Sequence, residues 1–191
     1  MPSSAFLSLF LAAQTLAILP HGDHDPLFIE ALGRSLSRRL ALAHVTAKTR
    51  PLPVVAFDTA RRQYSSAAIL DLLAAQADPP GSLRLAVMEP DLFAPGMSFV
   101  LGQADAEARV AVISLFRLRE ENHTRRRNPR LLRERALKEA VHEIGHLLRL
   151  RHCSNPGCVM FFSNTLADTD RKSGWFCAEC RRRLPRGVQR S

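Results

Sequence analysis

With 191 residues, 46% of them apolar and 24% charged, the chain can bury one substantial core and has the balance of an ordinary globular protein. It contains no internal repeat and no long low-complexity linker, which excludes a solenoid or a disordered tether. Its net charge of +9 is lopsided: residues 1–116 carry nine Lys and Arg against ten Asp and Glu, a net of −1, whereas residues 117–191 carry eighteen against eight, a net of +10.

Residues 5–13, Ala-Phe-Leu-Ser-Leu-Phe-Leu-Ala-Ala, resemble the apolar part of a signal peptide. No Lys or Arg precedes them, however, and the run is far too short to cross a bilayer. Residues 1–14 are therefore expected to form a non-cleaved N-terminal extension, and the protein to be soluble and cytoplasmic. Thr15 to Leu19 reads as a buried strand closed by Pro20, His21 and Gly22. Pro26 to Leu42 has helical spacing at Phe28, Ile29, Leu32, Leu36 and Leu40. A second strand is expected over Ala43 to Lys48. Ser65 or Ser66 can cap a helix running to Ala75, closed by the turn Asp78-Pro79-Pro80-Gly81. Leu83 to Met88 reads as a third strand. Phe99 to Gln103 and Arg109 to Phe116 read as two strands of a hairpin joined by an acidic turn.

A long helix follows, over about 129–150. Asn128 is a good N-cap, Pro129 suits the first helical position, and Leu131, Leu132, Leu137, Val141, Ile144 and Leu148 recur at helical spacing. About three turns in lies His142-Glu143-Ile144-Gly145-His146. Residues four apart share a helical face, so the two imidazoles can meet one ion. Glu143 is displaced around the helix and suits hydrogen bonding to a metal-bound water rather than ligation. His152 lies six residues past His146, and on an unbroken helix it would point away. It reaches the same ion only if the helix ends near Leu148 to Leu150. Three imidazoles and a water then make a four-coordinate zinc with one exchangeable position, as catalytic zinc sites have. Glu143 would take the water's proton as general base. An HExxH pattern alone also arises by chance as a surface pair. The helix context, the third histidine and the adjacent thiols together favour metal binding.

Cys153-x4-Cys158 and Cys177-x2-Cys180 use every cysteine in the chain, at the spacing of a closed four-thiolate zinc site. Ser154-Asn155-Pro156-Gly157 between the first two is a turn sequence that brings their sulfurs together. Two disulfides are the bland alternative. Met160, beside Val159, Phe161 and Phe162, reads from spacing alone as an apolar gap filler. His44 and His123 are isolated histidines with a default surface role.

Taken together, His142, Glu143, His146, His152, Cys153, Cys158, Met160, Cys177 and Cys180 resemble the pattern of the archaemetzincins, zinc metallopeptidases of the metzincin clan. The match covers about a fifth of the chain directly. The resemblance implies a catalytic zinc on the three histidines, Glu143 as base, and a structural zinc on the four cysteines. It also places Met160 in the turn beneath the catalytic metal. One position departs: the family glycine three residues after the second histidine is Arg149, which can take the left-handed conformation of a sharp turn at about 1 kcal/mol. The only tyrosine is Tyr64, far upstream, so no tyrosine follows the metal segment to stabilise an oxyanion. Asn164 is available there, without a spacing argument.

Strands alternating with helices imply an α+β fold, a mixed twisted sheet with packed helices. The resemblance makes it metzincin-like, a single metallopeptidase domain over 1–191. Residues 15–150 form its sheet-containing lobe with the active-site helix, and 151–191 a small zinc-stapled lower lobe. An edge strand above the cleft can then pair with an extended peptide, and Phe99 to Gln103 is the candidate. The expected function is zinc-dependent hydrolysis of peptides or small polypeptides by a monomer with two zinc ions. The rival is a non-catalytic zinc-stabilised module contacting nucleic acid or an acidic partner through its basic half. No aromatic residues interleave with Arg125-Arg126-Arg127 or Arg181-Arg182-Arg183, so a solvated face is the favoured reading of those clusters.

Overall fold

Leu16–Leu19 is wholly apolar and Leu83–Met88 nearly so, Arg84 excepted, and strands of that kind require cover on both sides. The computed structural model, which describes residues 15–76, 82–124 and 126–188, supplies that cover. β1 (Thr15–His21), α1 (Pro26–Leu40) and β2 (Ala43–Thr46) come first, followed by the short strands β3 (Phe57–Asp58) and β4 (Gln63–Ser65). Next are α2 (Ser66–Ala74), β5 (Leu83–Met88), β6 (Leu92–Phe93), β7 (Gly102–Asp105) and β8 (Val110–Ser114). α3 (Glu121–Thr124), α4 (Pro129–Leu147), α5 (Leu166–Arg171) and α6 (Ala178–Arg183) complete the order.

The main sheet runs β2-β1-β5-β8-β7. Its first four strands are parallel, and β7 lies antiparallel to β8 at the edge. Alternation divides the core between the two faces of this sheet. Leu16, Ile18, Leu83, Leu85, Val87, Ala111 and Ile113 pack with α1 and α4, while Ala17, Leu19, Ala86, Met88, Val110 and Val112 pack with α2. A small second sheet, β3-β4-β6, lies beside α2. The expected mixed sheet with packed helices is therefore the observed one.

Several boundaries differ from the sequence reading, each for a local reason. β1 continues through Pro20 to His21. By Pro20 its neighbour β2 has ended, so the missing N–H breaks no ladder, and the Pro20 carbonyl accepts from the Arg50 N–H at 2.9 Å. α1 starts under an Asp25 cap, whose side chain accepts from Leu27 N–H, and stops before Leu42 because Ala41 turns left-handed at φ 54°. β2 ends at Thr46, and α2 ends at Ala74 under its Ser65 cap. The hairpin strand expected over 99–103 is Gly102–Asp105, because Val100 bridges back to Leu92 and only then does the chain join β8. Its partner is Val110–Ser114. The extension at 1–14, the turn at 78–81 and Arg125 lie outside the described residues.

Both ends of α4 are chemically marked. Asn128 Oδ1 accepts from the Leu131 N–H at 3.0 Å, as its cap position predicts. At the other end Arg149 takes φ 69°. The Leu150 N–H returns to the Gly145 carbonyl and the Arg149 N–H to the His146 carbonyl, each at 2.9 Å. That pair of bonds is a Schellman motif, which usually places glycine at the left-handed position. The helix thus breaks at Leu148, where the third histidine requires it, and arginine occupies the turn without displacing it.

Asn128→Ala should lower the unfolding free energy by about 1 kcal/mol through loss of the cap. Arg149→Gly should unfold at the same or a higher denaturant concentration than the parent. Arg149→Val should lose about 1–2 kcal/mol, since a β-branched residue tolerates positive φ least. Equal urea midpoints for all three residues at 149 would contradict the assigned turn.

Candidate metal centres and the cleft between them

Breaking the helix at Leu148 brings His152 back toward the face that carries His142 and His146. One ligand atom from each of the three rings lies within 4.8 Å of the others. Two backbone carbonyls orient the helical pair: His142 Nδ1 donates to Val159 O and His146 Nδ1 to Leu150 O, both at 2.8 Å. A carbonyl can only accept, so each neutral ring carries its proton on Nδ1 and leaves Nε2 bare. The two bare Nε2 atoms stand 3.1 Å apart. Two lone pairs facing each other at that distance do not bond; they repel, unless a cation lies between them. Zn–N bonds of ~2.0–2.1 Å at tetrahedral angles separate ligand nitrogens by about 3.3 Å, close to what is seen. Burial lowers the pKa of all three rings, His142 most, which favours the neutral, ligating form. His152 is the exposed member, and its ring leans on Phe162 with centroids 4.8 Å apart.

The four cysteines also converge, with their sulfurs within 4.8 Å of one another. Cys153 and Cys177 are 3.8 Å apart, as are Cys158 and Cys180. A disulfide requires ~2.03–2.05 Å, so the two-disulfide alternative is excluded. Four Zn–S bonds of ~2.3 Å in a tetrahedron separate sulfurs by about 3.8 Å. The Cys177 N–H points at Cys158 Sγ at 3.3 Å, a donor that favours thiolate. Burial opposes ionisation at Cys177, but N–H and thiol donors around it outweigh burial and bring its pKa down to about 7. Both clusters can hold a metal ion.

The two centres are mechanically joined. The chain from Cys153 to Met160 loops back beneath α4, where the Val159 carbonyl meets His142 and Met160, fully buried, wedges against Gly145. A Cβ at Gly145 would collide with the Met160 sulfur, so glycine here permits a close approach of helix and loop. The resemblance placed Met160 in this turn. The gap-filler reading also describes its contacts, since it joins the main core cluster.

A cleft of about 930 Å³ runs past the histidines between β7 and the segment 162–164. Glu143 lines it and is only 4% exposed. Its carboxyl lies so close to Gly102 on β7 that a Cβ there would fall 2.7 Å from Glu143 Oε1. Burial, and then the neighbouring Glu139, push the Glu143 pKa well above the usual carboxylate range, while Lys172 pulls the other way. The upper rim is pinned from behind: Arg61 Nη2 and Gln63 Nε2 both donate to Ser98 O, at 3.0 Å each, and Arg117 lies over the Phe99 ring. Asn164 reaches the cleft, whereas Tyr64 packs on Phe57 elsewhere. His44 is half-buried against Gly33 rather than at the surface, and His123 is exposed.

Two residues beside Glu143 escaped the sequence reading. Glu139 carried a usable signal, lying one helical turn before Glu143 and therefore on its face. Lys172 carried none, because only the tertiary fold brings it to the helix; Gly102 fell within the expected edge strand, but its close approach to Glu143 is likewise a tertiary contact.

Among the described residues no helix is long and apolar enough to cross a membrane. Residues 41–186 match the model of Peptidase family M54. The archaemetzincin of Pyrococcus abyssi is 44% identical over 137 residues, 71% of this chain and 73% of that protein. The crystal structure of archaemetzincin from Archaeoglobus fulgidus complexed with malonate superposes with a TM-score of 0.79 at 38% identity, covering 90% of this chain and all of that one. A zinc-dependent peptidase from Methanocorpusculum labreanum gives a TM-score of 0.80 at 30% identity over 88% of this chain and all of its own. The chain belongs to peptidase family M54, the archaemetzincins, and is a zinc metallopeptidase.

Proposed function

We propose that His142, His146 and His152 hold a catalytic zinc, that Glu143 is the general base of peptide hydrolysis, and that Cys153, Cys158, Cys177 and Cys180 hold a structural zinc. The observation that carries this reading is the pair of bare Nε2 atoms 3.1 Å apart, each fixed by a carbonyl behind its ring. Zinc at the histidines would supply Lewis acidity and a nucleophile available near neutral pH. Glu143 takes the proton released as the scissile carbonyl is attacked and returns it to the departing amine. Its burial supports that role, since a raised pKa brings a carboxyl nearer the working range of an acid–base catalyst.

The substrate we propose is an extended peptide laid along β7. This strand is the open edge of the main sheet and lines the cleft above α4, so its unpaired backbone groups can take a further strand. The peptide-binding strand is thus Gly102–Asp105 rather than 99–103. We read 15–150 and 151–188 as upper and lower lobes of one catalytic unit. One core cluster supports this, running from Leu85 and Ile113 of the sheet to Cys158, Phe176 and Leu184. A non-catalytic module is not favoured: a zinc site serving structure alone needs no buried base beside its first ligand, and the chain belongs to a peptidase family.

Metal analysis of the purified protein should return two zinc ions per chain, and Cys180→Ser should return one, with a lower unfolding temperature. On a peptide library, Glu143→Gln should lower turnover by about 10²–10⁴-fold, the usual worth of a positioned base, with both zinc ions retained. A Glu143→Gln protein that cleaves at the parent rate would sink the assignment.

A further inference from the structure

Among the described residues Lys172 is the largest of the fully buried side chains, with 1% of its side chain exposed. It closes the C-terminus of α5, which is set by the capping box of Thr165 and Asp168, and it reaches the cleft beside Glu139 and Glu143. Removing an ammonium from water costs several kcal/mol unless close partners compensate. Here the partners are distant: Nζ is 3.4 Å from the Phe161 carbonyl and 3.8 Å from Glu139 Oε2. Glu139 Oε2 is itself buried without a hydrogen bond. Glu139 lies one turn before Glu143 on α4, so the two buried carboxyls share one face of the helix and both line the cleft.

Three buried ionisable groups therefore lie in series, from Lys172 through Glu139 to Glu143. As a staple between α5 and α4 the arrangement is poor, since a buried ion pair is readily replaced by apolar side chains of the same volume. Arg135 already joins these helices better, with Nε and Nη2 donating to the two oxygens of Asp170 at 2.7 and 2.6 Å.

We propose that Lys172 and Glu139 are positioning residues for Glu143: Lys172 anchors Glu139, and Glu139 together with Gly102 holds the Glu143 carboxyl in its place in the cleft. Glutamate has three side-chain torsions, and a base that samples several rotamers is in reach of its proton for only part of the time. Gly102 limits the carboxyl from above, and Glu139 flanks it one helical turn away on the same wall of the cleft. The proposal rests on Glu143 being the base.

The test uses the full-length, zinc-loaded protein and a peptide hydroxamate, whose hydroxyl can hydrogen-bond to the Glu143 carboxyl. Lys172→Met should lower kcat by about 10-fold or more with KM changed by less than about 2-fold, the pattern of a group acting only in the transition state. Lys172→Arg should recover part of that loss, and zinc content should stay at the parent value. Hydroxamate affinity gives a second readout. Lys172→Met should weaken it by about 10-fold in the parent and by less than about 2-fold in a Glu143→Gln background, the non-additivity expected of residues acting as one unit. If Lys172→Met does not fold, the near-isosteric Glu139→Gln enters the same cycle with the same expectations.

Losses that multiply in the double variant would overturn the proposal, because Lys172 would then act on the ligand directly. A lower unfolding temperature with unchanged kcat and hydroxamate affinity would reduce the pair to a structural contact. A protein sensitive to Glu143→Gln but indifferent to Lys172→Met rejects the positioning role alone. One indifferent to Glu143→Gln rejects the base assignment and this proposal with it.

Discussion

Two backbone carbonyls, those of Val159 and Leu150, decide which nitrogen of His142 and His146 carries the proton, and much of the molecule serves to put those carbonyls there. Leu150 O faces back toward His146 only because the chain reverses at Arg149. Val159 O lies beneath His142 only because the loop after Cys153 returns under α4, where Met160 and Gly145 fit together. The cysteine cluster fastens that loop to the segment at 177–180. Each imidazole is thereby held in one tautomer, with its lone pair directed to a common point, before any ion arrives. Orientation of this kind by groups behind a ligand is what tunes a metal site.

The sheet contributes from above. β8, buried on both faces, positions β7, and β7 brings Gly102 against Glu143. A buried carboxyl is an unfavourable place for an anion, and among its neighbours Lys172 is the one that eases the charge. The candidate site and the fold share residues here: α4 is the spine of the core and at the same time presents His142, His146 and the acidic pair.

The sequence exposed the convergence of the histidines and of the cysteines more clearly than the fold around them. Ligands recur at spacings set by covalent geometry, so His142, His146 and the two cysteine pairs could be placed from their numbers alone. The cap at Asn128 was equally legible, because capping is a local interaction between residues three apart. Even the helix break, which Arg149 argued against, could be inferred from the need to bring in His152. Less was visible wherever distant segments decide. The short strands β3, β4 and β6 are two or three residues long and show no period. The bridge between Val100 and Leu92 moved the edge strand by three residues, a displacement that no pattern within 99–103 announces. Lys172 looked like one more basic residue in a basic half, and only its burial distinguishes it.

The shortness of β7 has a consequence of its own. An open sheet edge is a standing invitation to stray strands, and proteins protect such edges by keeping them brief, charged or twisted. With four residues, ending at Asp105, this edge offers outward-facing backbone groups at about every second position, enough to grip a guest of only a few residues. The same economy that discourages copies of the chain from fusing edge to edge would, in the proposed binding mode, keep a peptide threaded there loosely held, so that it can depart once cut.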